Sequence, residues 1–80
     1  MTRRQMETIA TMAVLLAKNS FDEADKQYFD HQEYYKEYMD QLQTGDDDCL
    51  KYWIGSQIEA GVREAVEIKK LWLKSQLAVA

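Results

Sequence analysis

An all-α fold is what this chain predicts, and three observations carry the prediction. Its 80 residues contain no proline and only three glycines, so little in it stops a helix or builds the repeated turns of a β-sandwich. Apolar residues recur at spacings of three and four along most of the length, the period of one helix face. No β-branched run and no two-residue hairpin signal interrupts them. At this length the expectation is one small helical domain over residues 1–80, because domains rarely divide below about 100 residues. A chain so short buries only about 60% of its unfolded surface, which favours completing the core with a second copy.

Two breaks in the pattern divide the chain into three predicted helices, at about 3–18, 21–43 and 47–77. The first break is Asn19-Ser20. Ser20 and Glu23 have the spacing of a capping box, and Asp22, Glu23 and Asp25 follow where the helix dipole favours acids. The second break is Thr44-Gly45. A glycine there can take the left-handed conformation that ends a helix, and one of Asp46, Asp47 and Asp48 can cap the next.

The first helix gathers Met6, Ile9, Ala10, Ala13, Leu16 and Ala17 on one face, and Met12, Val14 and Leu15 widen it. A helix this apolar calls for cover on more than one side. The second carries Phe21, Ala24, Tyr28, His31, Tyr35, Tyr38 and Leu42 at heptad spacing. Its seam is aromatic where coiled coils prefer aliphatic residues, which suits a half-wet interface. Phe29, Tyr34 and Met39 lie off that seam and offer a second surface. The third helix has Ile54, Ile58, Gly61, Ala65, Ile68, Trp72 and Val79 on one face, with Trp53, Val62, Val66, Leu73 and Leu77 to one side. About 30 residues span roughly 45 Å, about twice what the first helix can cover. A second copy is the economical cover, and the expected self-association surface is Tyr35, Tyr38, Leu42, Ile58, Gly61, Ala65, Ile68 and Trp72. The competing picture is a break near Gly55–Gly61 that yields four short helices in a closed monomeric bundle.

Charge is distributed unevenly behind a net value of −4. Residues 1–20 sum to +2, residues 21–48 carry ten acids against two lysines, and residues 49–80 sum to +2. An acidic middle between two mildly basic ends points to a face that solvates the chain or binds a basic partner.

Chemistry beyond binding finds little to work with. There is one histidine and one cysteine, so His31 and Cys49 reach neither a zinc set nor a nucleophile–base pair, and the three aspartates before Cys49 oppose a second negative charge there. Neither paired Glu-x-x-His motifs nor an EF-hand loop is present. No glycine-rich phosphate loop occurs, and a sequence pI near 4.8 repels nucleic-acid phosphates. The apolar stretch Ile9–Ala17 is far short of the roughly 20 residues that span a bilayer, and Glu7 with the Ala17-Lys18-Asn19 ending departs from a cleaved signal. The expectations are no enzyme activity, no cofactor, no metal, no direct nucleic-acid or membrane binding, and a cytoplasmic location.

What remains is a protein–protein interaction module. The second helix holds six of the nine aromatic residues and a strong negative charge, a composition in which aromatic anchors give affinity and charge steers encounter. Asp22, Asp25, Tyr28, Phe29, Asp30, Glu33, Tyr34 and Glu37 are the expected partner-binding residues. The reading is a stoichiometric regulator or inhibitor of a larger protein with a basic surface, of the kind a bacterium or bacteriophage carries as an accessory protein. Two alternatives stand beside it. Asp22, Glu23, Asp25, Asp30, Glu33, Glu37 and Asp40 can form an acidic row mimicking nucleic-acid phosphates, or Tyr28, His31, Tyr35, Trp53 and Trp72 can line a pocket for a small aromatic or nucleotide-like ligand.

Overall fold

A computed structural model describes residues 1–77, so Val79 lies outside the described residues. The described residues form four α-helices: α1, Arg3–Asn19; α2, His31–Thr44; α3, Asp48–Glu59; and α4, Arg63–Leu77. No strand occurs among the described residues. The helix α1 is the central element, packing against both α2 and α4, while α3 packs on α4. The result is a thin body of 45 × 26 × 18 Å, whose short dimension is about two helix diameters.

The all-helical expectation holds, and the count of three helices does not. The third predicted helix is broken between Glu59 and Arg63. Gly61 takes φ +84° there. Its N–H donates to Ile58 O at 2.9 Å and the Val62 N–H donates to Gln57 O at 3.0 Å. These are the two bonds of a Schellman ending, which requires the left-handed residue that glycine supplies without a Cβ clash. The chain therefore reverses after the roughly three turns of α3 instead of continuing to about 45 Å of helix, and α4 folds back on α3. Cover for Ala65, Ile68 and Trp72 then comes from the same chain.

The second predicted helix starts ten residues late. Residues 20–30 form turns around a single 3-10 turn, Lys26–Tyr28, and α2 begins only after Asp30. Asp30 accepts the Glu33 N–H at 3.1 Å and sets that start. Ser20 makes no capping box with Glu23; its hydroxyl donates to Ala17 O at 2.7 Å and closes α1 instead. Packing explains the difference. Phe21 and Phe29 meet edge to face with ring centroids 5.2 Å apart, whereas a helix would separate residues eight apart by about 12 Å. Burying both rings at one place is incompatible with a helix between them. Phe21, Ala24 and Tyr28 consequently leave the expected heptad seam.

The remaining punctuation follows the residues. Gly45 ends α2 at φ +78°. Asp47 occupies the N-cap position of α3 without a side-chain cap, and its carboxylate instead meets Lys51 Nζ at 3.3 Å. At the start of α1, Thr2 and Gln5 form a reciprocal capping box. Its Thr-x-x-Gln spacing is visible in the sequence, although the expectations above place none there.

Two apolar clusters hold the helices together. The larger joins Ile9, Ala10, Ala13 and Leu16 of α1 with Met39 and Leu42 of α2, Leu50 and Ile54 of α3, and Ala65, Ile68 and Trp72 of α4. Ala10, Ala13 and Ala65 are fully enclosed, and their small side chains let neighbouring helices approach closely. The second cluster sets Val14, Ala17 and Phe29 against Phe21, Tyr34, Tyr35, Tyr38 and Trp53.

Candidate functional site

The acids of α2 occupy its outer side because its inner side is pinned to α1 by Met39 and Leu42. Glu33, Glu37 and Asp40 are exposed at spacings of four and three, and Asp30 continues the row at the helix start. None of these four takes part in an ion pair among the described residues. Glu33, Glu37 and Asp40, with Arg3, Lys36, Tyr35 and Met39, line a shallow groove of about 730 Å³. Asp22 and Asp25 are also exposed, in the turns before α2. Glu23 is paired with Lys26 at 2.7 Å, and that hydrogen bond and charge hold its carboxyl below the usual range.

The aromatic residues divide sharply. Tyr28 projects into solvent. Phe29 is buried and stacks on Tyr34 at 4.6 Å. From Tyr34 the rings continue to Tyr38 at 6.0 Å and on to Trp53 of α3 at 6.1 Å. Phe29 and Tyr34, expected on a partner-facing surface, are therefore engaged in the chain's own packing. Burial, with the nearby Tyr34 and Glu37, pushes the Tyr38 hydroxyl up to about 12.

The expected self-association residues also divide. Leu42, Ala65, Ile68 and Trp72 are buried within the chain, Leu42 where α2 packs on α1 and the other three because the Gly61 reversal folds α4 against α1 and α3. Gly61 is exposed at that turn, while Tyr35, Tyr38 and Ile58 stay half-buried at the edge of the core. The five residues of the ligand-pocket alternative do not converge. His31 and Tyr35 share one groove, Trp72 lines another, and Tyr28 stands exposed.

A second grooved surface lies between α3 and α4, and of its lining only Trp72 is among the expected site residues. Trp72 lines it, with Lys51 Nζ 5.6 Å from the centre of the indole ring. Its clearest signal in the sequence is Gly55, a glycine in mid-helix. Cys49 is exposed as a free thiol at the first turn of α3. No helix is long and apolar enough to cross a membrane, and no group of three His, Cys, Asp or Glu side chains converges on a metal position among the described residues. No family model, curated protein or solved structure matches the chain.

Proposed function

We propose that this protein is a non-enzymatic interaction module, a small stoichiometric regulator or inhibitor that engages the basic surface of a larger protein through α2. The observation that supports this reading is the unpaired row Asp30, Glu33, Glu37 and Asp40 on the exposed side of a helix whose other side is locked into the core. A row of four acids against the single Lys36, fixed on one side of a helix, attracts a basic partner from a distance and fixes its register on contact. Exposed Tyr28, with Asp22 and Asp25, extends the surface beyond the helix.

The test compares wild type with a Glu33→Gln/Glu37→Gln/Asp40→Asn variant as bait in host extract, followed by reconstitution with the purified partner. A one-to-one complex that weakens with salt and with the triple substitution, at unchanged helicity, supports the proposal. Partners that bind both baits equally overturn it. Displacement of the complex by DNA or RNA would identify the acids as a mimic of phosphates.

Self-association belongs to the same proposal at a relocated surface. The apolar groove lined by Val14, Leu15 and Tyr35, with His31 at its edge, lies between α1 and the start of α2, and Leu15 is half exposed. The chain exposes 5779 Å², roughly 800 Å² more than a typical folded monomer of its mass. That excess is about what one partner contributes to a stable interface. Light scattering near twice the 9.4 kDa chain mass, reduced to one chain by Leu15→Glu, is the expected result; a wild-type monomer at high micromolar concentration rules the dimer out.

A further inference from the structure

The α3–α4 groove is charged oppositely to α2 and has a different shape. It holds about 430 Å³ between Lys51, Ile54, Gly55, Lys69, Trp72 and Leu73. Gly55 is one of its lining residues, placed in the middle of α3 where alanine would favour the helix. A Cβ built on Gly55 meets nothing within 4 Å, so nothing inside the chain requires that residue to be glycine. A bare backbone in the lining of a groove admits the close approach of another chain.

The surroundings add anchors for such a chain. Leu73 is 56% exposed and Leu77 79%, and with Val66 they follow one stripe of α4 at spacings of seven and four. Tyr52 of α3 is 80% exposed. The buried Trp72 Nε1 has no hydrogen-bond partner. Lys51 is partly engaged with Asp47, whereas Lys69 and Lys74 enter no ion pair among the described residues. A second copy presenting this same face would set lysines against lysines. The acidic α2 of a second copy has spent its apolar side on its own core.

We infer that the α3–α4 groove receives an amphipathic helix of another protein, one that lays apolar side chains over Gly55 and Leu73 and sets carboxylates beside Lys51 and Lys69. This is the helix-in-groove mode of recognition, with spaced apolar anchors giving affinity and the lysines setting polarity. The groove takes an acidic partner and α2 a basic one, so the protein has two complementary faces and can bridge two partners.

The probe is a fluorescein-labelled amphipathic peptide of about 18 residues with leucines at helical spacing and flanking glutamates, titrated against wild type by anisotropy. A matching peptide carries lysines in place of the glutamates. Gly55→Leu fills the groove without straining the backbone, and Lys69→Glu reverses an exposed charge; circular dichroism checks both folds. The expected result is saturable binding of the acidic peptide, weakened at least tenfold by each substitution and unchanged by Glu33→Gln/Glu37→Gln. Failure of the acidic peptide to bind, binding by either variant as tight as by wild type, or equal binding of the lysine peptide overturns the inference. So does a wild-type dimer that Gly55→Leu dissociates, since the occupant would then be a second copy. Because the α2 acids are untouched in both groove variants, a failure here leaves the α2 proposal standing.

Discussion

In the aliphatic core every buried side chain sits on a helix, while in the aromatic layer beside it Phe21 and Phe29 sit on a segment built mostly of turns. The core draws on all four helices, and its residues keep the spacing their helices dictate. In the aromatic layer the rings decide the backbone. Phe21, Phe29 and Tyr34 converge across thirteen residues of chain, and residues 20–30 give up helical hydrogen bonds to let them meet. Apolar periodicity therefore anticipates the backbone where side chains are aliphatic and interchangeable. It misleads where large rings gain from contact with one another.

The largest expected effect separates the two regions by scale of unfolding. Ile68 is fully enclosed at the meeting of α4 with the core, so Ile68→Ala leaves a cavity that cannot collapse and should remove about 4 kcal/mol. That is a large share of what a domain this size has. Urea denaturation followed by circular dichroism should show the whole transition shifted to lower urea. Phe29 is buried against Val14 and Ala17 of α1 and the rings of Phe21 and Tyr34, but it sits on a segment outside the α-helices. Phe29→Ala should cost about 3 kcal/mol, with the loss concentrated locally: amide exchange should accelerate first over residues 20–30 while α3 and α4 stay protected. Uniform acceleration across all four helices would mean that the layer and the core are one cooperative unit.

The same contrast explains what could be read in advance. The all-helical class, the bounds of α1 and the end of α2 at Gly45 follow from spacing and caps, both local properties. The core face of α1, including Ile9 and Ala13, is legible for the same reason; Ile68 and Trp72 are legible as one apolar face, but that face is expected against a second copy and is instead buried within the chain. The late start of α2 was not, because ring–ring contact between Phe21 and Phe29 is tertiary. Gly61 was recognised as a possible break, yet a mid-sequence glycine does not declare whether it bends the backbone or merely fits. Of the candidate site, the exposed acids Glu33 and Glu37 were legible from charge. The division between exposed Tyr28 and buried Phe29, adjacent in sequence, came from a single 3-10 turn. The groove beside Gly55 depends on α4 folding back, so a mid-helix glycine marks the position in the sequence without showing what faces it.

The two glycines of the α3–α4 hairpin sharpen the point with opposite signs. Gly61 sits at φ +84°, so Gly61→Ala should destabilise by about 1–2 kcal/mol through the clash of Cβ with its own backbone. Gly55 has helical surroundings and open space where a Cβ would stand, so Gly55→Ala should stabilise by about 1 kcal/mol. Thermal melts of the pair give a direct reading. If both substitutions destabilise, the space over Gly55 is filled in solution.

The smallest effect lies in the aromatic layer and appears only in base. Tyr38 is half-buried between Tyr34 and Trp53. Burial first, and then Tyr34 and Glu37, oppose its ionisation and raise its value to about 12. An unfolded tyrosine ionises near pH 10. Below that pH both states hold the proton and Tyr38 adds no pH dependence. Between about 10 and 12 the unfolded chain releases the proton while the folded chain retains it, so stability falls as pH rises through this window. Tyr38→Phe removes the difference between the states and should flatten that part of the decline, with the urea midpoint at pH 9 and pH 11 as the measurement. The tyrosinate absorbance of the folded protein should lose its latest-titrating component in the same variant. An unchanged alkaline decline in Tyr38→Phe would show that the ring ladder is wetter than its stacking implies, and would bring the aromatic layer closer to an exposed binding surface than to a second core.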